Sequence, residues 1–119
     1  MITVEDARTR AAAGAAKLTE NDPDWFTVVS AAELDMGCPG WCVLGQWAGS
    51  YTDGVERLLP GVNPQSEEGD RLVASLGLEA SGFGDADEEY ETLREAWVEI
   101  IRELKRARRV EQITTGGGA

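Results

Sequence analysis

Between Tyr90 and Leu104 the run YETLREAWVEIIREL places Tyr90, Leu93, Trp97, Ile100, Ile101 and Leu104 at three- and four-residue spacing. That spacing lines one face of an α-helix and fits no strand, whose side chains repeat every second residue. The segment starts acidic, DADEEYE from Asp85 to Glu91, and ends in the basic run KRARR, so both termini complement the helix dipole. The acidic start reads as capping; it lacks the positions of a calcium-binding loop. A helix with one long apolar face must be covered by other elements, and the rest of the chain carries mostly the same period, with no internal repeat.

In TVEDARTRAAAGAAKL, Val4, Ala7, Ala11, Ala15 and Leu18 recur at helical spacing, Thr3 can cap, and Asp6 follows three residues later. This first helix presents mostly alanine, which permits close approach but contributes little area. NDPDWFTVV opens with a turn signal at Pro23 and passes into β-branched and aromatic residues, predicting an irregular segment or a short strand. From Trp41 to Leu59 a helical stripe returns, with Leu44, Trp47, Ala48, Tyr51, Val55, Leu58 and Leu59 on one side, and Gly54 and Pro60 as punctuation. Gly45 and Gly49, four apart, allow two backbones to meet closely, and the alanine-rich first helix is the natural partner. GVNPQSEEGDRLVASLG predicts a loop through Pro64, then a helix capped by Ser66 and closed by Gly77, with Leu72, Val73 and Leu76 inward. LEASGFGDA is a glycine-rich loop, and its GFGDAD lacks the Lys-Ser/Thr of a phosphate loop. The expected fold is an all-α, single-domain bundle of about four helices over residues 1–110, with room for one short extended segment. Residues 111–119 are expected to form a flexible tail.

The chain of 119 residues is long enough to bury a core of its own. No apolar run approaches the roughly 18 residues of a membrane-spanning helix. The charged N-terminus MITVEDARTR has no apolar leader segment, and two cysteines are too few for a disulfide framework. A cytoplasmic protein with reduced thiols is expected. The net charge of −11 is uneven: residues 20–99 carry eighteen acidic against three basic side chains, while 100–119 carry two against five. Such a polyanion repels nucleic acid and anionic lipid, so direct nucleic-acid or membrane binding is not expected. Two readings remain: a solvated face that maintains solubility, or an acidic face that docks on a protein partner with a basic surface. The sequence leaves open whether the chain is a monomer or a homodimer.

The stretch CPGWCVLGQWAG holds both cysteines, Cys38 and Cys42. With two cysteines and no histidine, a self-contained zinc site is short of ligands, and only a dimer could assemble four thiolates. No metal or cofactor is expected. A thioredoxin-like motif needs two intervening residues and a parallel-sheet setting, whereas three residues separate these thiols. The structural alternative makes Pro39 part of a first helical turn with Cys42 packed one turn on, and Cys38 the more reactive thiol at the helix N-terminus. Without histidine the usual neutral-pH base is missing, and the chain is read as not an enzyme. Gln46 and Asp35 are polar residues that a core does not explain. Gln46 either bonds a loop backbone internally or presents a polar anchor in a groove floored by Trp41 and Trp47.

The run from Asp22 to Leu58, with a short Leu-Gly helix after it and a late YETLREAWVEIIREL, resembles a group of small uncharacterised proteins of actinobacteria and their phages. The resemblance rests on Trp25, Leu34, Asp35, the Cys-Val-Leu-Gly-Gln core at Cys42, Val43, Leu44, Gly45 and Gln46, then Gly49 and Tyr51, and Leu93, Trp97 and Ile101 in the last helix. It implies a phage or prophage accessory protein acting by binding a host or phage protein. The expected function is therefore a non-enzymatic acidic interaction module, with Trp41, Gln46, Asp35 and Trp47 as the candidate surface. The alternative is a thiol-dependent redox protein using Cys38 and Cys42.

Overall fold

In the computed structural model, which describes residues 2–80 and 85–117, every regular element among the described residues is helical. The elements are α1 (Val4–Asn21), a 3₁₀ turn (Trp25–Val28), α2 (Val43–Ala48), α3 (Tyr51–Leu58), α4 (Glu67–Ser75) and α5 (Ala86–Gly117). The fold is a small all-α domain, as the apolar spacing predicts. None of the described helices is long and apolar enough to cross a membrane.

Helix α1 starts where Thr3 Oγ1 accepts the Asp6 N–H at 3.0 Å. Its buried side is Ala7, Ala11, Gly14, Ala15 and Leu18; Val4, expected on that side, is exposed. This thin face lets α5 lie alongside. Gly14 shows why it must be thin: a Cβ there would strike the Leu76 carbonyl and stand 2.8 Å from the Trp97 ring. Trp97 is fully buried and its indole N–H donates to the Gly77 carbonyl at 2.7 Å. Gly77 closes α4 at φ +69°, tight against the backbone of Ala11. Three helices thus lock at one point through two glycines and a tryptophan. Trp25 completes the centre, edge-on to Trp97 at 5.7 Å and to Phe26 at 6.0 Å.

Several sequence expectations change. WFTVV forms a 3₁₀ turn, not a strand, because Trp25 and Phe26 both turn inward. The stripe from Trp41 to Leu59 is two helices. Gly49, at φ +100°, ends α2, and Ser50 Oγ caps α3 through the Asp53 N–H at 3.1 Å. Gly45 and Gly49 do not serve α1. Gly45 faces the Pro39–Gly40 backbone, and Gly49 faces open space. The close helix pair here is α2 on α3, where Gly54 sits against Leu44. In α4, Ser66 caps and Val73 is buried as expected, but Leu72 is exposed. Asp85 Oδ1 caps the start of α5 through the Asp87 N–H at 2.9 Å. Of the loop expected in LEASGFGDA, residues 81–84 lie outside the described residues. Helix α5 continues through Gly117, past the Val110 boundary at which a tail was expected; residues 118 and 119 lie outside the described residues.

The irregular stretch between the 3₁₀ turn and α2 is fastened to α5 by cations meeting backbone carbonyls. Arg94 Nε donates to the Leu34 carbonyl at 2.7 Å, and Lys105 Nζ to that of Val29 at 2.8 Å. A loop without a ladder of its own thereby satisfies part of its backbone.

Candidate docking surface at Trp41

Trp41 follows the Cys38–Pro39–Gly40 turn. Its N–H donates to the Cys38 carbonyl at 3.1 Å, and its own carbonyl accepts from the Asp35 N–H at 3.1 Å and from Gln46 Nε2 at 3.0 Å. Its backbone is fixed, yet the residue is 50% exposed. Beside the ring are Glu33 and Asp35, which flank the buried Leu34, and the three side chains line a shallow depression of about 340 Å³. Asp35 Oδ1 accepts the Gly37 N–H at 3.1 Å, which steadies the turn. Neither carboxylate has an ion-pair partner among the described residues.

Gln46 is the staple of this region. Its Oε1 accepts the Ser30 N–H at 2.6 Å, and its Nε2 donates to the Ser30 carbonyl at 3.2 Å as well as to that of Trp41. Of the two roles open to it from sequence, the geometry gives the internal one: its amide joins both ends of the loop before α2 to that helix. Trp47, on the following turn position, is 7% exposed. Its indole N–H donates to Asp22 Oδ2 at 3.0 Å, and Arg57 lies 4.2 Å over its ring and 3.7 Å from the same carboxylate. The Trp47 hydrogen bond, followed by the Asp24 N–H and the Arg57 charge, holds Asp22 below the usual carboxylate range. Trp47 is therefore core, not the floor of a groove shared with Trp41.

The thiols are placed differently from the expectation. Helix α2 begins at Val43, with Cys42, not Cys38, at its N-cap. Cys42 is 2% exposed, its sulfur accepts the Gly45 N–H at 3.3 Å, and burial pushes its thiol up. Cys38 is half-buried, and both cysteines are free thiols. A small cleft of about 110 Å³ opens next to Cys42, with Tyr51, Glu79 and Tyr90 on its walls. Tyr51 donates its O–H to Glu79 Oε2 at 2.7 Å. Burial raises the Glu79 carboxyl; the Tyr51 hydrogen bond opposes this and neighbouring Asp70 adds to it. Among the described residues no group of His, Cys, Asp and Glu is arranged to hold a metal.

Glu33 and the Tyr51–Glu79 pair were missed from sequence. Glu33 carries no sequence signal, because it sits in a turn where no period marks its side. Tyr51 and Glu79 are brought together only by packing of α3 against the chain after α4. Comparison with protein-family models, with curated proteins and with solved structures finds no match.

Proposed function

We propose that this chain is a non-enzymatic interaction module that docks on a basic protein surface with Trp41 as its anchor. One observation carries the reading: Trp41 stays half exposed although its backbone is hydrogen-bonded at both N–H and carbonyl. An anchor whose backbone is already ordered avoids that part of the ordering cost on association. Covering the remaining ring removes on the order of 100 Å² from water, worth ~2–3 kcal/mol at the usual coefficient. The acidic surplus, with Glu33 and Asp35 at the anchor itself, adds long-range attraction to a basic partner. The resemblance to small actinobacterial and phage proteins supports placing it as a phage or prophage accessory protein of the bacterial cytoplasm. The charge argues against direct nucleic-acid binding. The thiol-cycling alternative has less support, because Cys42 is a buried cap with a raised thiol pKa.

The test is capture from an actinobacterial lysate on three immobilised proteins: the native chain, Trp41→Ala, and the double variant Cys38→Ser/Cys42→Ser. The docking reading expects one partner held by the native chain and the cysteine variant, lost with Trp41→Ala, and weakened by salt. Equal retention by Trp41→Ala counts against the anchor; loss confined to the cysteine variant moves the function to the thiols.

A further inference from the structure

Aromatic ring, carboxylate and arginine occur together twice in this fold. Arg57 lies 4.2 Å over Trp47 and pairs with Asp22 at 3.7 Å. Arg108 lies 4.9 Å over Phe26 and pairs with Asp24 at 3.0 Å. In each, the guanidinium carbon lies over an aromatic ring while one of its nitrogens pairs with a carboxylate, a combination that suits arginine, a planar cation that both stacks and pairs. Trp41 with Glu33 and Asp35 is a third set of the same chemistry: an aromatic face and two carboxylates lining one depression. Among the described residues no cation of this chain lies over that ring or pairs with those acids.

We propose that the Trp41 depression seats an arginine side chain of the basic partner, stacked on the indole and forked to Glu33 and Asp35. The inference rests on the docking reading and specifies its chemistry. A separate partner fits better than a second copy, because two chains of net charge −11 repel. Arginine fits better than lysine because a planar, weakly hydrated cation stacks at lower desolvation cost and pairs with carboxylates bidentately.

The experiment titrates the isotopically labelled full chain with a capped peptide of alternating arginine and glycine, and with its lysine counterpart. The readout is the indole N–H resonance of Trp41, assigned by its loss in Trp41→Phe. The indoles of Trp25, Trp47 and Trp97 report on the fold in the same spectra. The proposal expects the arginine peptide to move Trp41 with at least threefold tighter affinity than the lysine peptide. It also expects that preference to vanish in Glu33→Gln/Asp35→Asn with the other indoles unmoved. Equal response to both peptides overturns the arginine seat and leaves the acidic docking reading standing. No response of Trp41 to either peptide overturns both. A Trp41 shift with protein concentration alone overturns the separate partner in favour of an arginine from a second copy.

Discussion

Gln46 illustrates how one side chain determines whether a neighbouring residue is usable. Its amide bonds the backbone of Ser30 in both directions and the carbonyl of Trp41, so it needs a donor and an acceptor at once. Gln46→Glu keeps the shape and the acceptor but removes the donor, leaving two carbonyls facing a carboxylate. We expect a loss of about 1–3 kcal/mol, the cost of part-buried polar groups left unpaired, read as a lower midpoint in denaturant unfolding. Trp41 should then lose its fixed backbone, seen as faster amide exchange. Glu79 behaves in the opposite sense. Its carboxyl is raised by burial, so the folded chain holds the proton more tightly than the unfolded chain. The stability linked to Glu79 is thus full below the ordinary carboxylate pKa and is lost as pH rises through the raised value. Glu79→Gln still accepts from Tyr51 and carries no charge near Asp70. Its melting temperature relative to the native chain should therefore increase between about pH 4 and about pH 7; a constant difference across that range would contradict the assignment.

At the scale of elements, the break between α2 and α3 matters most. Leu44, Trp47, Tyr51, Val55 and Leu58 keep helical spacing across Gly49, and a continuous helix satisfies that pattern as well as two helices do. The structure divides it because Gly49 adopts φ +100° and Ser50 starts a new cap. The break lets α3 fold back so that Gly54 rests on Leu44. Gly49→Ala should cost about 1–3 kcal/mol from backbone strain alone, since nothing lies within 4 Å of the added methyl. Chemical denaturation would measure it, and an unchanged midpoint would mean that the chain can run straight through this residue. The same element supplies the cap at Cys42 and the staple at Gln46, so the sequence motif Cys-Val-Leu-Gly-Gln is a device for presenting the preceding turn. Its glycine is required where Gly45 passes beneath the Pro39–Gly40 backbone.

At the scale of the molecule, charge and shape are separated. Basic side chains fasten the non-helical segments: Arg94 and Lys105 meet carbonyls of the loop before α2, while Arg57 and Arg108 meet Asp22 and Asp24 in the turn after α1. That arrangement leaves the surplus acids on the surface, where they repel one another. Raising ionic strength until the Debye length falls from about 30 Å to about 3 Å should raise the melting temperature. The same change should weaken docking on a basic partner. A melting temperature that falls with salt would mean that attractive pairs outweigh the surplus.

Helical periodicity, capping by Thr3 and Ser66, and the excess of carboxylates are local or additive properties. The sequence by itself determined these, and with them an all-α domain whose surface is acidic. The four tryptophans were indistinguishable at that level. Trp25 and Trp97 meet edge to face in the core, Trp47 is closed by Arg57 and Asp22, and Trp41 alone among them stays half in water. Tertiary structure decided this, because exposure depends on contacts between residues far apart in the chain. Outside a regular helix no period marks which side of a turn will face the core.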